Sequence, residues 1–243
     1  MHSDRRDGGV VCRPVIICGS GPCLSDRLVQ LDRLRGIPIL AVSTAIRVIE
    51  KPDIWVVLDD INHHHGGHQA YESARDKDVK KVVHSTRHYF WDKFPNVEYV
   101  HVYRENHKDR HSKEKRRFFD GGEGVLRGFN RSMTFAIQWA FHHYNCAIFC
   151  GMDHLTTAEI PYAYDGEMQP KMVENQNNNH RKELHQIKVW SPLALSKGFV
   201  WLNWCPAGSP MATACHGEFD GFESVDRVFR AALGDVSDVG ANV

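Results

Sequence analysis

The chain reads as an α/β protein, with a Rossmann-like, mostly parallel sheet, helices on both faces and a lid-like insertion. Two observations predict this. Apolar runs of strand length alternate with stretches whose apolar residues recur at helical spacing. The first such run, in "VIICGSGPCLSD" at 15–26, passes straight into a Gly-Ser-Gly-Pro turn and a polar helix start. That is the arrangement found where the first strand of an open α/β sheet meets its first helix.

The elements follow in order. "PVIICG" is the first strand. Leu24, Leu28, Leu31 and Leu34 then recur at helical spacing, and Gly36 is the stop. "IPILAVS" at 37–43, "DIWVVLDD" at 53–60, "KKVVHST" at 80–86 and "VEYVHVY" at 97–103 are the next four strands. Short buried strands alternating with helices argue for a parallel sheet covered on both faces. In 131–153, Met133, Ala136, Ile137, Ala140, Phe141 and Tyr144 mark one helix face, with Ser132 as N-cap and "CAIFCG" as the strand beyond. Residues 154–179, ending in "ENQNNN", read as irregular, and "HRKELHQIKVW" as a helix opened by His180. Ser191-Pro192 reads as the start of a separate helical segment. "FVWLNWCP" is the last strand and "SVDRVFRAAL" the closing helix.

One domain over 14–233 is expected, between a flexible N-terminus (1–13) and a flexible tail (234–243), with 104–128 and 154–180 as mobile loops or a lid. Hydrophobic residues make up 42% of the chain and charged ones 25%, enough for a stable core. The formal net charge is zero, so an acidic partner would need a local patch. No run approaches the roughly 18 apolar residues of a membrane span. The N-terminal segment has no apolar core long enough for a signal peptide, and an odd number of cysteines, seven, suits the reduced thiols expected of a cytoplasmic protein.

Ligands of open α/β sheets bind beyond the carboxyl ends of the strands, where a glycine turn and a helix N-terminus receive phosphate. Gly19, Ser20 and Gly21 are placed for this, although a tight structural turn explains them almost as well. Ser43-Thr44, Asp59-Asp60 and Gly151-Met152-Asp153 end other strands at the same predicted edge. Asp59 and Asp60 are candidate ligands for Mg²⁺ or Mn²⁺ with a diphosphate. The following "NHHHGGH" reads as a His-rich loop along the cleft, with His64 or His68 near phosphate, rather than a structural metal site.

The blocks "VIICGSGPCLSD", "ILAVSTAI", "DIWVVLDD", "SMTFAIQWAFHHYNCAIFCGMD" and "WLNWCPAGSPM" resemble those of the 6-hydroxymethylpterin diphosphokinase MptE-like family. They are also similar to the related bacterial sialyltransferases and motility accessory factor glycosyltransferases. Two positions depart from the pattern: Cys23 stands where the family has Ser, and Ser43 where it often has Asn. The resemblance implies a nucleotide-activated donor. It puts Gly19, Ser20 and Gly21 by the phosphates or ribose, Ser43 and Asp59 beside the nucleotide, and Ser132 on the donor phosphate. Asp153 would hold the site, and Asn203 and Ser209 would close the pocket. The sialyltransferase-like enzymes use a histidine from the segment after the Gly-x-Asp strand and need no metal, which makes His180 and His185 the candidate bases.

The reading is a glycosyltransferase that moves a sugar from a nucleotide-sugar donor to a hydroxyl acceptor. The rivals are a Mg-dependent diphosphokinase using ATP and a nucleotide-binding module without catalysis. Lys113, Lys115, Arg116 and Arg117 leave open a polyanionic acceptor. A hydroxylated DNA base is one such acceptor, which would imply viral DNA modification in a host cytoplasm.

Overall fold

A computed structural model describes residues 11–34, 36–58, 67–75, 77–84, 91, 94–103, 125–127, 131–154, 163 and 170–237. The chain runs β1 (Pro14–Cys18), α1 (Cys23–Leu31), β2 (Ile39–Val42), a 3₁₀ turn (Ser43–Arg47), β3 (Ile54–Val57) and α2 (Gly67–Arg75). It continues with β4 (Lys80–His84), β5 (Val97–Tyr103), β6 (Val125–Arg127), α3 (Ser132–His143) and β7 (Cys146–Cys150). It ends with α4 (Pro170–Ser196), β8 (Val200–Asn203), a second 3₁₀ turn (Pro210–Ala214), β9 (Gly217–Glu218) and α5 (Phe222–Ser237).

The strands form one sheet in the order β6-β5-β4-β3-β2-β1-β7-β8-β9. Every pairing is parallel. The strand period of two sends Val15 and Ile17 into one core layer, with Phe135, Ala136, Ile187 and Trp190 of α3 and α4. Ile16 and Cys18 go into the other layer, with Leu24, Ala70, Ala74 and Phe229 of α1, α2 and α5. Both faces are therefore covered, which explains the continuous apolar runs. From β1 the chain winds outward to β6, then returns to the other side of β1 as β7. The strand order reverses between β1 and β7, and ligands bind at that point in open α/β sheets.

Several expectations are corrected. Residues 170–179 are helical, and α4 runs unbroken through Pro192. A proline inside a helix removes a hydrogen bond and crowds the preceding turn, at a cost of about 3 kcal/mol. Here Ile187, Trp190 and Ala194 are packed into one core layer on both sides of that proline, which holds the helix together. Ser191 is therefore no N-cap. Ser132 is not one either: the cap is Arg131, in extended conformation, and Ser132 is the first helical residue. Helix α3 is also buried nearly all round, from Ser132 and Thr134 to Ala140, rather than along one face. Within the expected 104–128 lid, Val125–Arg127 is a strand paired with β5. Helix α5 extends through Ser237, into the expected tail. Among the described residues no helix is long and apolar enough to cross a membrane.

Candidate functional site

The two glycines after β1 answer first to the neighbouring strand. Gly19 N donates to Cys150 O at 2.8 Å, and Gly21 N donates to Gly151 O at 2.8 Å. A Cβ on Gly19 would collide with Gly151 O, and one on Gly21 with Gly151 O and Asp153 Oδ2. Gly151 has φ of 62°, in the left-handed region that favours glycine. The exits of β1 and β7 thus cross backbone against backbone. This corrects the expectation of a phosphate cradle formed by these turns, because the amides of Gly19 and Gly21 are already committed. The Ser20 carbonyl accepts from Ala163 N at 2.9 Å.

The start of α1 is closed in a similar way. Cys23 N donates to Asp153 Oδ2 at 3.1 Å, so a carboxyl group from β7's exit occupies the place where an incoming phosphate was expected. Burial, and then the charge of the Cys23 sulfur, raise the pKa of Asp153 to about 7. Hydrogen bonds from the Cys150 and Cys205 thiols lower that of Cys23. All seven cysteines are free thiols.

Ser43 leaves β2 with φ of 50°, and its carbonyl accepts the Trp55 indole N–H at 2.8 Å, which bends the chain away at the sheet edge. Ser132 Oγ accepts from Leu58 N at 3.2 Å and ties the start of α3 to the end of β3. Asn203 is a correction. It is fully buried and holds Cys205 O, Cys205 N and Glu218 Oε2, so it shapes the turn after β8 and leaves nothing to face a ligand. Ser209 Oγ is buried and finds no hydrogen-bond partner among the described residues. Asp59, Asp60, His63, His64, His65, Lys113, Lys115, Arg116 and Arg117 lie outside the described residues. His68 is exposed on α2. No group of three or more His, Cys, Asp or Glu among the described residues is placed to hold a metal.

The histidines separate clearly. His185 is exposed on α4. His180 does not open that helix, which corrects the expectation, because α4 begins at Pro170. Its ring instead lies in a polar cluster at the carboxyl edge of the sheet. The His154 ring is 5.7 Å away, centroid to centroid. His154 Nε2 is 3.6 Å from Glu183 Oε2, and both side chains are buried, at 4% and 9% exposure. Arg131, at the entry to α3, reaches the same Glu183 oxygen at 4.0 Å and donates to Asn179 O. His180 is held neutral, at about 4, by burial first and then by the neighbouring His154, while Glu183 pulls the other way and Arg131 adds to the lowering.

Arg131, His154 and Glu183 had escaped the sequence reading. Two local signs pointed to the last two: His154 directly follows the Gly-x-Asp strand exit, and Glu183 lies one turn after His180. His154 also has φ of 53°, a conformation non-glycine residues rarely adopt outside special turns.

A second pair has the look of a nucleophile and its base. Ser191 Oγ and His216 Nε2 are 2.9 Å apart. However, His216 Nδ1 accepts from Trp201 N at 2.8 Å, which places the ring proton on Nε2. That nitrogen donates to Ser191 and cannot take its proton. The contact ties α4 to β8.

No protein-family model matches the chain, and no curated protein sequence matches it. Among solved structures it is similar to the MAf glycosyltransferase from Magnetospirillum magneticum AMB-1, at 14% identity and a TM-score of 0.45. That match covers 93% of this chain and 37% of the other, so the chain spans little more than a third of that protein's length.

Proposed function

We propose that the chain is a nucleotide-donor group transferase, most specifically a glycosyltransferase, with His180 as its general base. The observation that carries this reading is a half-buried, neutral imidazole beside Arg131, His154 and Glu183 at the reversal point of a parallel sheet. Ser43 and Ser209 would line the donor side, since the Ser209 hydroxyl finds no partner among the described residues. Arg131 supplies positive charge for a leaving phosphate.

The reaction would run in one displacement. The acceptor hydroxyl loses its proton to a ring nitrogen of His180. Its oxygen bonds to the anomeric carbon of the sugar. The bond from that carbon to the phosphate oxygen breaks, and the electron pair leaves with the nucleotide.

The test is a binding screen. The purified chain is titrated calorimetrically with CMP, UDP, GDP, ADP and ATP, and hits are followed with the matching nucleotide sugars. Saturable binding of a nucleotide with slow hydrolysis of its sugar derivative supports the reading. Binding and turnover of ATP alone would move the assignment to the diphosphokinase. Binding without turnover of any donor would leave a binding module.

A further inference from the structure

We propose that Glu183 and His154 are positioning residues for His180, set to act in opposite senses on the proton that His180 takes. The catalytic half of this proposal rests on the transferase reading; the charge geometry stands alone.

The arrangement begins with hydrogen-bond direction. His154 Nδ1 lies 2.9 Å from Met152 O, a carbonyl that only accepts, so Nδ1 carries a proton. The opposite nitrogen, Nε2, therefore faces the Glu183 carboxylate. His180 Nε2 lies 3.0 Å from the Gln176 amide nitrogen, which only donates. His180 Nε2 thus offers a lone pair and Nδ1 carries the proton. An acceptor hydroxyl that displaces Gln176 meets a nitrogen ready to take a proton.

Once that proton arrives, His180 is a cation in a crowded place. Among the described residues, the charged and titratable groups around it come from three elements. The exit of β7 supplies His154, with Asp153 beside it in sequence. The entry to α3 supplies Arg131. Helix α4 supplies Glu183. Arg131 and the His154 ring, 5.7 Å away, oppose the new charge, whereas Glu183, one helical turn on, favours it. Glu183 also meets both Arg131 and His154, so one carboxylate serves these two side chains as well as His180. A carboxylate buried among such groups has a stronger effect than one in water. His154 has a left-handed backbone, and its ring lies beside Glu183 of α4.

The experiment follows the His180 ring in the full-length chain labelled with ¹⁵N-histidine, its signal assigned by its loss in His180→Ala. In the parent the ring is expected to stay in one neutral tautomer from pH 5.5 to 8. In His154→Asn, which keeps the backbone conformation accessible, the titration should move upward and begin to enter that window. In Glu183→Gln the ring should remain neutral throughout, because its favourable partner is gone. The double variant should fall between the two singles.

These opposite signs separate positioning from simple support. If Glu183 only held the helix in place, Glu183→Gln would loosen the cluster, hydrate His180 and bring its titration up to the ordinary range near 6.5. That result overturns the proposal, as does an unchanged His180 in His154→Asn. With a donor and acceptor in hand, Glu183→Gln should lower kcat about 10-fold or more, with nucleotide affinity and KM little changed. A rise in KM alone would reject the positioning role. If the parent binds no nucleotide, the transferase reading falls and takes the catalytic half with it, while the ring titrations still decide the charge geometry.

Discussion

Asp153 caps a helix to which it does not belong. Its Oδ2 accepts the amide of Cys23 at 3.1 Å and links the exit of β7 to the first turn of α1. Burial makes this carboxyl group titrate near pH 7 in the folded chain. Its ordinary value is near 3.8, so between these limits the folded state binds more protons than the unfolded one. The stabilisation from the raised pKa is complete below about 3.8 and lost as the pH rises to about 7.

Asp153→Asn should therefore flatten the pH dependence of stability between pH 4 and 7. Denaturant midpoints measured across that range would show it. A variant whose midpoint tracks the parent at every pH would mean that Asp153 does not carry the raised pKa.

Gly21→Ala should destabilise the fold rather than selectively remove a ligand. The new Cβ meets Gly151 O and Asp153 Oδ2, and overpacking of this kind costs about 1–3 kcal/mol. Gly208→Ala is the comparison. Gly208 has φ of 84° with open space around it, so only the backbone strain of roughly 1–2 kcal/mol applies. Combining Gly21→Ala with Gly151→Ala should give a strongly non-additive result, because both act on one crossing. Additive losses in chemical denaturation would contradict the shared contact.

These residues show what the sequence could and could not convey. The strands β1, β2, β3, β7 and β8 were legible because burial on both faces makes each an unbroken apolar run. The shared carboxyl edge of the strands followed from the glycine turn and the later Gly-x-Asp, whereas the reversal of strand order between β1 and β7 did not. The purpose of the glycines was not legible, since what a Cβ would strike belongs to a strand distant in the chain. Helix α4 was misread because Asn-rich and Ser-Pro segments are local stop signals, and only the tertiary packing of Ile187, Trp190 and Ala194 overrides them. The partnership of His154 with Glu183 depends on how α4 lies against the sheet, which no spacing encodes. β9, with two residues, is too short to leave a periodic signal.

Ser191→Ala should cost about 1 kcal/mol of stability and leave any turnover intact. Burial lowers the pKa of His216, so the folded chain resists its protonation. Stability should therefore decline as the pH falls below about 6.5, with His180 contributing in the same direction down to about 4. In His216→Gln this acid-side slope should be shallower in thermal melts from pH 7 to 5. Loss of catalysis in a well-folded Ser191→Ala chain would return the Ser191–His216 pair to the list of active groups.

The last prediction separates the two histidines of α4. His180 sits among Arg131, His154 and Glu183, whereas His185 is exposed. His180→Ala should reduce kcat by roughly 10²- to 10⁴-fold, with nucleotide affinity intact. His185→Ala should leave both nearly unchanged. Because His180 stays neutral down to about pH 4, kcat/KM should show no acid limb from this ring between pH 5.5 and 8. A base with so low a pKa is matched to a strongly polarised acceptor, so the rate should rise with the acidity of the acceptor hydroxyl in a series of substituted alcohols. Initial rates with such a series, in the parent and in both alanine variants, decide the matter. If His180→Ala retains full turnover, or keeps the same dependence on acceptor acidity, another group takes the proton.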